Sequence, residues 1–246
     1  MATHYETLHP ADRYQEAFAV EPPPTPLERY LRPRKPGACI VPATSAAALG
    51  ATPPGPADDA SSAPATRLLV PAQWGLVPHW VKSASDAKLR APKLTHAKAD
   101  LASTGTAFRD AWLNGQRCIV PMAAFFEDDW RTGKAVPTRI ARVDGKPLGV
   151  AGLWARWQGA GAEPGEVIIS YCLLTVNANN HALLRRYGPP GSEKSMPAIL
   201  NEGAYDAWLT ARPDKAKEFM RQYAAEKLTA NPVENKADKV PKGWLG

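Results

Sequence analysis

Cysteine is scarce, with three residues, Cys39, Cys118 and Cys172, in a chain of 246. They stand far apart in apolar surroundings with no CxxC pair, which argues against a disulfide framework or a cysteine metal site and for buried, reduced thiols. Long apolar runs are missing too, and none approaches the ~18–20 residues that a bilayer-spanning helix needs. The opening stretch, MATHYETLHP, has no basic segment followed by an apolar one. No secretory signal is therefore read, and a cytoplasmic location without membrane contact is expected. Neither GxGxxG nor GxxxxGK[ST] occurs, so nothing points to a dinucleotide or P-loop phosphate site. Internal repeats are absent as well.

What is present suits one large globular domain. Apolar residues make up 44% of the chain and include eight tryptophans, enough for a sizeable core. Proline and glycine together are about one residue in six, above average but below disordered composition, which predicts a loop-rich fold. Lys plus Arg number 30 against 24 Asp plus Glu, a formal charge of +6, and this favours a polyanionic partner. Residues 50–66 hold no aromatic or large aliphatic side chain and predict a mobile surface loop. Apolar, β-branched runs at 38–41, 67–70, 118–120, 138–143, 147–153 and 167–176 predict strands. The first two are candidates for neighbours joined by that loop, and Asp144-Gly145 is a hairpin signal. Helical patterns lie at 10–18, 180–187 and 213–227. Strands first mixed with helices and then followed by them predict an α+β protein rather than a βαβ array.

Four segments combine aromatic, proline and polar residues beyond what propensity requires. They are Trp74-Gly75-Leu76-Val77-Pro78-His79-Trp80, Thr95-His96-Ala97-Lys98-Ala99-Asp100, the run RCIVPMAAFFE from Arg117 to Glu127, and SEKSMPAIL from Ser192 to Leu200. Together with Phe108-Arg109 between the second and third, their order and spacing resemble the SOS response-associated peptidase (SRAP) family of abasic-site processing proteins. The resemblance runs from the N-terminus to Pro232-Val233. It implies a single SRAP-type domain over residues 1–246, with a strongly bent, barrel-like mixed sheet, peripheral helices and a basic cleft beside the N-terminus. It also implies a role in the DNA-damage response, binding single-stranded or abasic DNA, with no cofactor. The oligomeric state is left open by the sequence, with a monomer expected.

In that family the initiator Met is removed and residue 2, a Cys, captures the abasic-site aldehyde with its amine and thiol as a thiazolidine. An α-amine titrates near about pH 8 and is partly neutral in the cell, unlike lysine. An Asn, a Glu and a late His surround that terminus in family members, and the family name adds autoproteolysis. Carried over here, residue 2 is Ala2, the Asn position is His96, the Glu is Glu127, and the late His position reads Gly188, with Ser195 in place of an Arg. Only the Glu matches. Two origins fit Ala2, an engineered replacement or a natural branch whose reaction is lost or changed, and the departures at His96 and Gly188 favour the second. The resemblance thus places Ala2, His96 and Glu127 at the reactive centre. An α-amine without a thiol predicts a reversible imine. The alternative is an inactive relative, a non-covalent DNA-binding or phage-associated accessory protein.

Each position also has a plainer reading. Glu127 is either a buried carboxylate suited to proton transfer or the first exposed residue after a strand. Trp74 and Trp80 are either core aromatics or stacking platforms for bases. Lys88, Arg90, Lys93, Lys98, Arg109 and Arg117 are either a phosphate-tracking groove or a solvated basic face. His4 joins the candidate DNA contacts with Trp74, Trp80, Lys98, Arg109 and Arg117. Should His4, His96 and Glu127 converge, they are either a ligand set for zinc or iron, which no local spacing supports, or histidines that hydrogen-bond Glu127.

Overall fold

A computed structural model describes residues 1–50, 66–159 and 167–233, so the loop expected at 50–66 falls, apart from its two end residues, outside the described residues. In chain order the strands are β1 (His4–Glu6), β2 (Tyr30–Leu31), β3 (Pro36–Pro42), β4 (Arg67–Trp74), β5 (His96–Lys98), β6 (Arg117–Met122), β7 (Ala124–Asp129), β8 (Val136–Arg142), β9 (Leu148–Gln158), β10 (Val167–Asn177), β11 (Ser195–Pro197), β12 (Ile199–Leu200) and β13 (Leu228–Pro232). The helices are short: α1 (Arg13–Phe18), α2 (Ala46–Leu49), α3 (Ala84–Arg90), α4 (Arg109–Leu113) and α5 (Tyr205–Thr210).

Five strands form a closed ring in the order β10-β4-β3-β6-β9, with β9 returning to β10. The β10–β4 contact is parallel and the other four are antiparallel, so this is the mixed barrel that the sequence predicts. Strand β5 runs parallel to β10 just beyond β4, and β11 and β12 extend β10 and β9. The predicted strands at 38–41 and 67–70 do pair, with Cys39 opposite Val70. A second, wholly antiparallel sheet has the order β13-β8-β7-β1-β2.

Alternation along the strands decides what each face meets. Cys39, Val41, Cys118, Val120, Val150, Trp154 and Tyr171 share a core with Tyr5, Phe125 and Ile140 of the second sheet. The intervening Ile40, Ile119, Ala151, Leu153 and Cys172 meet Tyr14 and Phe18 of α1, Trp112 of α4 and Trp208 of α5. All three cysteines are buried and free. Barrel closure leaves little room, and a Cβ on Gly152 would lie 2.6 Å from the Cys172 carbonyl oxygen.

Three local expectations are corrected. Asp144-Gly145 does turn the chain, but β8 and β9 belong to different sheets, so the turn carries the chain between layers instead of making a hairpin. Residues 213–227 hold only two 3₁₀ turns, Ala216–Phe219 and Ala225–Lys227. Phe219 packs on Trp208 and the Tyr223 carbonyl accepts from His181, and these tertiary contacts override helical periodicity. Residues 180–187 reduce to the 3₁₀ turn Leu184–Arg186, because His181 Nδ1 accepts the Leu183 and Leu184 amides and Gly188-Pro189-Pro190 stops the turn.

Gly75, after β4, explains part of the first motif. It has φ +121°, and a Cβ there would sit 2.5 Å from the Ala91 carbonyl oxygen. Gly75→Ala should therefore cost about 2 kcal/mol or more, read as a lowered midpoint in urea unfolding.

Candidate active site

The N-terminus runs into the second sheet as its last interior strand, beside the β2 edge. Strand β1 sits between β2 and β7, and the Thr3 amide donates to the Phe126 carbonyl at 3.0 Å. This pairing carries residues 1–3 to the end of β7, where the Met1 amino group donates to Glu127 Oε2 at 3.0 Å. The carboxylate side chain is 3% exposed. Its other oxygen, Oε1, is sealed from solvent and has no hydrogen-bond partner among the described residues.

His96 opens β5 opposite Leu173 of β10. Its Nδ1 lies 2.9 Å from the Thr95 hydroxyl, while Nε2 is buried without a partner. Trp74 supports the ring from below, edge-on at 5.5 Å, and its indole N–H donates to the Thr95 carbonyl at 3.0 Å. The same indole meets Tyr5 at 5.4 Å, and Tyr5 shares a hydrogen bond with Tyr171 of β10. One aromatic group thus joins the barrel to the strand that delivers the N-terminus.

Burial dominates the electrostatics. It pushes Glu127 up to about 6 despite the opposing pull of the α-amine, with Asp128 raising it further and Lys194 lowering it. A buried carboxylate beside one cation thus remains a net cost, since desolvation exceeds the attraction. His96 is driven down to about 3, first by burial and then by the nearby N-terminal charge, so its ring stays neutral. A carboxyl poised near pH 6 can both accept and donate a proton.

The candidate residues divide into distinct environments. Glu127, His96 and the residues around Ala2, itself 4% exposed, come together. His4 does not join them: it stacks on Phe126 at 4.0 Å, and the pleat turns Phe126 and Glu127 to opposite faces. This separation overturns the His4–His96–Glu127 metal set, and among the described residues no group of three metal-ligating side chains occurs. Trp74 is fully buried, so it is a core support and no stacking platform. Trp80 remains on the surface with the Arg90 guanidinium over its ring at 5.2 Å.

Arg117 is likewise removed from the basic face. It is 1% exposed, held between the rings of Trp112 and Trp208 at 5.7 and 5.5 Å. Cation–π contacts replace water there, and no phosphate can reach it. Lys98 is exposed and paired with Glu193, whereas Arg109, at the start of α4, is exposed. Lys194, inside a quoted motif yet overlooked as a functional group, donates to the carbonyls of Gly188 and Pro189 at 3.0 and 2.6 Å. Thr95 was missed in the same way, since only the fold aligns it with His96 Nδ1.

Barrel, N-terminal strand paired on both sides and buried carboxylate define a protein of the SRAP class. The chain matches the SOS response associated peptidase (SRAP) family over residues 1–240 and belongs to it. A solved structure from Bordetella bronchiseptica is 35% identical, with TM-score 0.79, covering 95% of this chain and 100% of that one. A phage-related protein from the same organism, 17% identical with TM-score 0.60 over 96% and 95% of the two chains, shares the fold. Among curated relatives, the abasic site processing protein HMCES of Gallus gallus is 26% identical over 194 residues, 71% of this chain and 55% of that protein. The chain thus spans about half the length of the curated relatives it matches. No helix among the described residues is long and apolar enough to cross a membrane.

The opposed shifts give a pH signature. His96 is lowered in the folded state, so its contribution is intact above about 6.5 and is lost as pH falls toward about 3. Glu127 is raised, so its contribution is intact below 4.5 and is lost as pH climbs through about 6, by roughly 2 kcal/mol in all. His96→Asn removes the first dependence alone. The stability difference between wild type and this variant, from urea midpoints, should shrink by about 1.4 kcal/mol per pH unit below 6.5.

Proposed function

We propose that this protein captures abasic sites in single-stranded DNA through its α-amine, forming a reversible imine. The observation that carries this reading is the α-amine held 3.0 Å from a buried carboxylate whose second oxygen is unpartnered, beside a neutral imidazole whose Nε2 is also unpartnered. Removal of Met1 before the small Ala2 passes the amine to Ala2, which is buried next to the Met1–Glu127 pair. An abasic site in its open form supplies the aldehyde, as the name of the HMCES relatives suggests. Exposed Lys88, Lys93, Lys98 and Arg109 supply phosphate contacts, so binding should weaken steeply with salt.

The chemistry needs only groups already named. Glu127 takes a proton from the ammonium, and the freed lone pair forms the C–N bond while the carbonyl π pair moves to oxygen. Protons returned through Glu127 convert that oxygen to water, which leaves as C=N forms. Overall an ammonium and an aldehyde yield an iminium and one water, and Glu127 ends ionised. Ala2 offers no thiol to trap the iminium, so hydrolysis reverses it. The three cysteines are buried in the core and cannot substitute.

The second reading, non-covalent DNA binding or a phage-associated accessory role, draws on the missing thiol and on Gly188 in place of the late histidine. Borohydride separates the two. An abasic single-stranded oligonucleotide should give a covalent adduct with wild type only when reductant is present, and no adduct favours the second reading. Ala2→Cys should give an adduct that survives denaturation without reductant, seen as a shifted band on a denaturing gel.

A further inference from the structure

We infer that Lys194 is a further catalytic group of this site, its ammonium receiving the aldehyde oxygen as the amine adds. This inference rests on the imine-forming reading above. The loop that follows Arg186 folds onto the end of β7, with Asp129 bridged to Tyr187 and the Gly188 amide donating to the Asp128 carbonyl at 2.8 Å. Gly188, which follows the residue bridged to Asp129, has φ +83°. A Cβ built there would meet Lys194 Nζ at 4.0 Å and Ser192 Oγ at 3.9 Å. The space beside Gly188 is thus faced by the lysine ammonium.

That ammonium is held in place at both ends. The Lys194 amide donates to Asn179 Oδ1 at 2.8 Å, and its carbonyl accepts from the Ala178 amide at 2.8 Å. Its Nζ is tied to two backbone carbonyls, those of Gly188 and Pro189, which leaves one N–H for another acceptor. The charged groups that act on Glu127 are the α-amine, Asp128 and Lys194, with neutral His96 beside the amine. Of the two cations, the α-nitrogen is taken up in the new C–N bond, whereas Lys194 keeps its ammonium and its hydrogen bonds unchanged through the step. A cationic donor fixed in place before the reaction stabilises negative charge that develops beside it. During addition the carbonyl π pair moves to oxygen, that oxygen accepts the remaining Lys194 N–H, and Glu127 supplies the proton that makes it a hydroxyl. Lys194 neither gains nor loses a covalent bond.

The test compares wild type, Lys194→Met and Lys194→Arg in borohydride trapping of an abasic single-stranded oligonucleotide, with affinity for the intact oligonucleotide as the folding control. Lys194→Met should trap at least about tenfold more slowly. Lys194→Arg, which keeps the charge but cannot form an imine, should return to within about threefold of wild type. Equal rates for Lys194→Met and wild type overturn the inference, as does a reduced adduct that maps to Lys194. Should wild type form no adduct, the imine reading itself fails, and carbon-13 NMR titration of the Glu127 carboxyl then judges the placement of Lys194. The titration should move to higher pH in Lys194→Met and return in Lys194→Arg, and no movement overturns the placement.

Discussion

The burial of Glu127 beside the chain's own amino terminus is the constraint on which the rest of the site depends. A carboxylate at 3% exposure with one oxygen unpartnered is costly, and the attraction of one ammonium does not repay that cost. The protein sustains it because β1 is pinned on both sides, by β2 and by β7, and cannot carry the N-terminus elsewhere. The resulting pair is strained in its ionisation and not in its geometry. With its pKa raised to about 6, Glu127 is placed to take and to return a proton near neutral pH.

The barrel serves that pair from below. Trp74 ends β4 at the point where Gly75 turns the chain, and its ring touches both Tyr5 of the N-terminal strand and His96 at the start of β5. The Tyr5–Tyr171 hydroxyl contact ties the second sheet to β10. A change in barrel packing at Trp74 would therefore be felt at His96 and at the N-terminus together. Trp74, which the sequence left open as either a core aromatic or a platform for bases, is the core support that holds His96 and the N-terminal strand.

Much of the architecture was legible because alternating apolar strands state their period directly, and Cys39 and Val70 found each other across a long excursion. The hairpin at Asp144-Gly145 was misread because a turn signal is local and says nothing of which sheet the next strand joins. The helix expected at 213–227 failed because Phe219 and Tyr223 are recruited by Trp208 and His181, residues that no local window contains. At the site, the motifs located Glu127 and His96. They could not separate Arg117, enclosed by two indoles, from Arg109 on the surface, since both are basic residues beside a basic segment. His4 was misplaced by one step of the pleat, which alternates faces along a strand. Lys194 stood in plain view within a quoted motif, but its role depends on a loop folding back to meet β7.

Ala2 distinguishes this chain from the pattern it otherwise follows, and it makes the amine alone responsible for any covalent chemistry. Selective acylation of the α-amine at slightly acid pH, which spares the lysines, isolates that responsibility. The acylated protein should bind an abasic oligonucleotide yet form no borohydride-stable adduct, while the untreated protein forms one. An adduct of equal yield after complete acylation would contradict the account.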